Sequence, residues 1–235
     1  MLSTIKVTLD LGISLETGTN YKMRLIQISG IGRVGKTTLA HMVCKEAFEL
    51  GYRPVIIPFA DAIKKAAAKK GLTKESNSEE YRKFCQKIGA SKRKKNPDHW
   101  VDETEKAILE YMEKEVNNKR KLLTNWEYVI VQDDVRYMNE LAFGRKLAAI
   151  QLFIYAGDRK IPEHDAEWRT HESETLANQV SAFMGMANSE YDDLYDAVLY
   201  NSGTIKDLEE MVKNNVQDWL NSSWIELEED NGSNT

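Results

Sequence analysis

Gly30-Ile31-Gly32-Arg33-Val34-Gly35-Lys36-Thr37 follows the run Arg24-Leu25-Ile26-Gln27-Ile28-Ser29 and leads into Thr38-Leu39-Ala40-His41-Met42-Val43. A buried strand, a glycine loop closed by Lys-Thr and then a helix is the order that a phosphate-binding P-loop requires. The glycines let backbone N–H groups turn inward around phosphate oxygens. The helix start adds unpaired donors and a partial positive charge. On this reading Lys36 reaches the β- and γ-phosphates of ATP, and the Thr37 hydroxyl ligates Mg²⁺. Gly30, Gly32, Arg33, Val34, Gly35 and Thr38 complete the nucleotide cradle. The same glycines also fit the dinucleotide fingerprint. That pattern does not ask for Lys-Thr, and it wants an acid closing the second strand about 20 residues on, whereas Asp61 comes later. The P-loop reading prevails.

Outward from this loop, the chain is long enough at 235 residues for one large domain with insertions. Its hydrophobic share of 42% and charged share of 29% are those of a soluble globular protein. No apolar run is long enough to span a bilayer, and no signal-peptide pattern stands at the N-terminus, so the expectation is a cytoplasmic protein without a membrane partner. Cys44 and Cys85 lie far apart without metal-ligand spacing and read as reduced thiols. The net charge of −5 argues against general nucleic-acid binding. Residues 1–22 read as a strand or hairpin preface, 23–225 as the P-loop domain, and 226–235 as an acidic disordered tail.

Within the domain, Pro54-Val55-Ile56-Ile57-Pro58-Phe59 reads as a second strand, a parallel neighbour of the first. Ligands of open α/β sheets gather at strand C-terminal ends, which places Asp61 and Lys64 where a second substrate meets the P-loop. Asp61 as a helix cap is an equally good reading. Residues from 61 to about 125 form a helical, lysine-rich insert. In it Arg82 and Gln86 share one helix face, and Gly89 reads as a helix end. Lys92-Arg93-Lys94-Lys95 reads as a loop, either a solvated charge run or a landing strip for phosphates. Trp126-Glu127-Tyr128-Val129-Ile130-Val131-Gln132 is a third strand running into Asp133-Asp134-Val135-Arg136. Either acid is placed to serve Mg²⁺. A fourth strand spans 149–155. The segment from about 157 to 195, with Arg159, Lys160, Arg169 and His171, suits a lid over transferring phosphates or an ordinary surface excursion. A short strand at 196–201 and a helix opened by Thr204 and Asp207 close the domain. The sum is an α/β three-layer sandwich with a parallel central sheet.

The P-loop, then FADAIK, YRKFCQKIGASKRKKNPDHWV, VQDDVRYMNE, THESE and DAVLYNSGTIKDLEEMV stand in the order seen in bacteriophage-type deoxynucleoside monophosphate kinases. The resemblance covers roughly residues 23–220. Its most distinctive piece is Asp134-Val135-Arg136 with Asn139-Glu140, next to His171, Ser173 and Glu174. It implies γ-phosphoryl transfer from ATP, with Mg²⁺, to a deoxynucleoside monophosphate, and a fold with a helical monophosphate-binding insert and a lid. It also implies that Asp61, Lys64, Arg82, Gln86, Trp100 and Arg136 surround the acceptor, together with Arg93, Asp134, Glu140, His171 and Glu174. Lys36, Mg²⁺, Arg136, Arg82 and a lid arginine, Arg159 or Arg169, would neutralise the transferring charge. A hydroxymethylated pyrimidine monophosphate is an alternative acceptor, and a P-loop switch or regulatory ATPase is the alternative of another class. The acceptor base, the phage origin (which would make the compartment the host cytoplasm) and homodimerisation stay open.

Overall fold

The computed structural model describes residues 22–73, 75, 78–117, 127–157, 170–183, 192–221 and 225–226. Strand β1 spans Lys22–Ser29 and is buried from Met23 onward. It lies between two strands within the sheet, and a helical layer packs on each of its faces, so Leu25 is buried on one face and Ile26 and Ile28 in the core of the other. Strand β3, Glu127–Val135, pairs with it in parallel on one side, with Leu25 opposite Ile130. Strand β4, Ile150–Tyr155, pairs in parallel on the other, with Ile26 opposite Ile150. Strands β2, Arg53–Ile56, and β5, Ala197–Tyr200, extend the sheet to the order β2-β3-β1-β4-β5. Pro54 is tolerated because β2 is an edge strand. Strand β6, Ile225–Glu226, adds antiparallel to the start of β1, so Glu226 belongs to the sheet rather than to a tail.

Helices cover both faces. Helix α1, Lys36–Glu49, and helix α7, Ile205–Asn221, bury Leu39, Val43, Leu208, Val212 and Val216 against Ile26, Ile28, Val131 and Ile154. On the opposite face, α4 (His99–Asn117), α5 (Met138–Lys146) and α6 (Thr175–Phe183) bury Ile108, Met112, Leu141, Leu176 and Val180 against Leu25, Tyr128, Ile130 and Phe153. A parallel sheet between two helical layers, with the glycine loop leaving its central strand, is the α/β P-loop NTPase fold. Helices α2, Asp61–Ala68, and α3, Ser78–Lys95, lie with α4 between β2 and β3.

Further sequence expectations are corrected. The second strand is not a neighbour of the first, because β3 stands between them. Strand β3 does not stop at Gln132 but carries Asp133 and Asp134 within it. Gly89 does not end α3; it is buried in mid-helix. Lys92-Arg93-Lys94-Lys95 is not a loop but the last turn of α3, where cations are favoured by the negative end of the helix dipole. Of the preface expected at 1–22, Lys22 belongs to β1 instead, and 1–21, like the tail at 227–235, lie outside the described residues.

Candidate active site

The loop Gly30–Gly35 turns sharply between β1 and α1, with Arg33 and Gly35 both at positive φ, 68° and 106°. A Cβ on Gly35 would sit 2.7 Å from Asn201 Nδ2. That amide donates to the Val34 carbonyl (2.8 Å), while the Asn201 backbone N–H donates to Tyr155 O. The residue just after β5 thus staples the loop to the end of β4. Lys36 is buried and folds back over the loop, donating to the carbonyls of Gly30 (2.6 Å) and Ile31 (2.8 Å).

Along a strand, successive side chains point to opposite faces. With β3 running through residue 135, its two acids therefore take different roles. Asp133 points to the P-loop, and its Oδ2 accepts the Thr37 hydroxyl at 2.7 Å. Asp134 holds the loop after β2: Oδ1 accepts from Phe59 N–H (2.8 Å) and Oδ2 from Ala60 N–H (3.0 Å), with Lys64 Nζ at 3.6 Å. Asp133 Oδ1 is buried and has no hydrogen-bond partner. A divalent cation fits that donor set: one carboxylate oxygen without a hydrogen bond, and a hydroxyl whose proton is turned away toward Asp133. Asp134 has both oxygens engaged by backbone donors, which leaves Asp133 with Thr37 as the pair suited to Mg²⁺.

A hollow of about 520 Å³ opens beside the loop, within the usual size of small-ligand sites. Gly32, Arg33, Gly35, Lys36, Thr37 and Thr38 form one end. Lys64, Arg82, Gln86, Arg93 and Arg136 line its far walls, with Phe59, Ile63 and Tyr81 as apolar and aromatic surface. Asp133, Asp134, Glu140, His171 and Glu174 line it too. Six basic side chains therefore stand against four carboxylates around one cavity. The half-buried Arg136 is ion-paired with Glu174 and lies 3.5 Å from Ser173 Oγ. Arg93 reaches from the last turn of α3 to Glu140 Oε1 (2.9 Å), with its guanidinium 3.7 Å over the Tyr137 ring. Glu140 Oε2 accepts the backbone N–H groups of Arg136 (2.8 Å) and Tyr137 (3.2 Å). Burial pushes the Glu140 carboxyl up to about 7, against the opposing pull of Arg93 and the Arg136 N–H.

No protein-family model matches the chain, and no curated protein matches it significantly. Among solved structures it is similar to shikimate kinase from Aquifex aeolicus. That likeness has 11% identity, covers 85% of this chain and 99% of the other, and has a TM-score of 0.38. It is also similar to the protein APE1195, at 16% identity, with 84% and 96% covered and a TM-score of 0.36. Likenesses this distant carry no argument about activity, and the fold stands on the sheet order and the loop.

Of the expected site residues, Gly30 and Val34 shape the loop from below without lining the hollow. Asp61 does not line it either; it pairs with Lys65 at 2.7 Å, one helical turn on. Trp100 is buried away from the cavity, and its indole N–H donates to Gly89 O at 3.2 Å, fastening α4 to α3. Its place is in the insert's own core. Arg159 and Arg169 lie outside the described residues, as does most of the expected lid. Two residues not singled out from the sequence matter here, Asn201 and Tyr137, and neither carried a signal of its own. Ser173, named with His171 and Glu174, stands beside Arg136. Among the described residues no helix is long and apolar enough to cross a membrane.

Proposed function

We propose that this chain transfers the γ-phosphoryl group of ATP to a nucleoside monophosphate, a deoxynucleotide in the first instance. The observation that carries the reading is the two-ended hollow. One end is a P-loop with Thr37 and Asp133 in contact. The other is walled by Lys64, Arg82, Arg93 and Arg136 beside aromatic and apolar surface. Cationic walls suit an acceptor phosphate, and the surface of Phe59, Ile63 and Tyr81 suits a base.

The acceptor phosphate is already an anion, so no general base is needed. One of its oxygens attacks the γ-phosphorus of ATP as the bond to the β,γ-bridging oxygen breaks. ADP leaves with that electron pair, and the acceptor gains a phosphoanhydride. The difficulty is bringing two polyanions into line, which is a matter of positioning and charge neutralisation. Lys36 serves the β- and γ-phosphates by swinging off the Gly30 and Ile31 carbonyls. Arg136 holds the acceptor phosphate, which a guanidinium can do bidentately. Mg²⁺, held by Thr37 and Asp133, would neutralise charge on the ATP oxygens when bound.

The test is a panel of nucleoside monophosphates with ATP and Mg²⁺, read as ADP plus the matching diphosphate. Transfer to at least one ordinary deoxynucleotide is expected. Transfer confined to a hydroxymethylated pyrimidine nucleotide would change the acceptor but keep the reaction. ATP hydrolysis that outruns transfer to every acceptor would overturn the reading in favour of a P-loop switch.

A further inference from the structure

Four carboxylates line the hollow, and three of them have evident employment. Asp133 stands on Thr37, Asp134 holds the Phe59 and Ala60 N–H groups, and Glu140 holds Arg93 with two backbone N–H groups. The fourth is placed differently. Glu174 is only 2% exposed, yet it is held by the binding machinery rather than by its own segment. Its Oε2 accepts the backbone N–H of Gly32, in the phosphate cradle, at 2.9 Å. Its Oε1 is ion-paired with Arg136, on the acceptor side. One carboxylate therefore spans the gap between a P-loop donor and the acceptor guanidinium.

We propose that Glu174 occupies, as an intramolecular anion, the subsite in which a transferring phosphoryl group is held, and that a phosphate-bearing ligand must displace it. A carboxylate and a phosphate make the same demands: backbone N–H groups on one side and a guanidinium fork on the other. Both cannot use Gly32 N–H and Arg136 at once, and two anions in one buried site repel. Glu174 ends the short turn Glu172–Glu174, and directly after it α6 is anchored in the core by Leu176, Ala177 and Val180. Ahead of it His171 and Ser173 bond each other, and Tyr137 OH donates to Glu172 at 3.3 Å. In the empty protein Glu174 keeps Arg136 and the loop at a set spacing. It also competes with an incoming anion for the cradle, which weakens ATP binding and slows hydrolysis in the absence of an acceptor.

This inference rests on the kinase reading only for the identity of the displaced ligand, and its test uses inorganic tripolyphosphate. Titration calorimetry on the full chain would compare wild type with Glu174→Gln, which keeps the shape and removes the charge. The expected result is at least tenfold tighter tripolyphosphate binding by the variant, with acceptor-free ATP hydrolysis raised. A residue that merely stabilised the fold would give weaker binding on removal, so a gain in affinity is the discriminating sign. Unchanged or weaker binding overturns the proposal. If Glu174→Gln does not fold, Glu174→Asp carries the same test. Its shorter carboxylate cannot span both partners, so a gain is again expected and its absence is again fatal. Wild-type transfer to a monophosphate with no gain in the variants would sink the latch alone. A gain in the variants with no transfer to any monophosphate would sink the kinase reading alone.

Discussion

Glu140 shows how one buried residue can tie stability to the acceptor site. Its carboxylate holds the backbone at Arg136 and the guanidinium of Arg93 together. Burial raises its pKa from 4.5 to about 7. The native state therefore binds a proton between those values that the unfolded chain has released. Stability from this group is fully present below pH 4.5 and is lost as pH rises through about 7. Below the upper value Arg93 also loses its charged partner, so this one group contributes most to stability where the acceptor wall is least assembled. Urea unfolding of wild type and Glu140→Gln across pH 4–8 would check this. The wild-type stability relative to the variant should decline over that window and level off above it; a difference independent of pH would contradict the account. At this same scale the sequence left Asp133 and Asp134 unresolved. Either acid at the end of a strand beside a P-loop can serve a metal. The choice depends on whether the strand continues through them, and two polar acids gave no apolar signal that it does. Once β3 is known to reach Val135, strand alternation assigns them.

At the scale of elements, α5 sits on a buried amide ladder that runs across three strands. Gln27 of β1 donates to Gln132 Oε1 of β3 (2.8 Å) and to the Glu140 carbonyl (2.9 Å). Gln151 of β4 donates to Gln27 Oε1 (3.2 Å) and to the Leu141 carbonyl (2.7 Å). These bonds fix the first turn of α5, and hence Glu140, against the sheet. The close approach is possible because residue 144 is glycine: a Cβ there would lie 2.1 Å from Gln27 Oε1. Gly144→Ala is expected to destabilise the protein by about 2–3 kcal/mol, through overpacking and disturbed buried bonds. In a Gln27→Ala background the same change should be neutral or favourable, since alanine is the better helix former by about 1 kcal/mol. Denaturant midpoints of the four proteins decide it, and equal costs in both backgrounds would refute the clash. None of this ladder is legible in sequence, because isolated glutamines in apolar strands carry no period. The strands themselves were legible as apolar runs because they are covered on both faces. The last turn of α3 was misread because four successive cations look solvated. Their neighbour α5, which supplies Glu140 to Arg93, is distant in the chain.

For the whole molecule, the site is a joint between the sheet and the insert. The P-loop and Asp133 come from β1, α1 and β3, while Arg82, Gln86 and Arg93 come from α3. Trp100 to Gly89 ties the insert's own helices together, and Arg93 to Glu140 ties α3 to α5 on the sheet. A ligand touching both sides should therefore stabilise the protein as a unit, without any turnover being measured. Ligand present at 100 times its Kd adds about 2.7 kcal/mol to the folded state. For a chain of this size each kcal/mol moves Tm by about 2–4 °C, so ATP with Mg²⁺ should raise Tm by roughly 5–10 °C. The two halves of the cradle can then be separated. Lys36→Ala removes the ammonium that turns from loop carbonyls to phosphate, and it should abolish most of the shift while leaving the ligand-free Tm within a few degrees of wild type. Asp133→Asn keeps the ammonium but removes the carboxylate that stands on Thr37. It should retain the shift given by ATP alone and lose the increment that Mg²⁺ adds. An Asp134→Asn protein should behave otherwise. Its ligand-free Tm should fall, because the Phe59 and Ala60 N–H groups lose their charged acceptor, while its Mg²⁺ increment persists. Were the increment lost on changing Asp134 and kept on changing Asp133, the assignment made from strand alternation would be reversed.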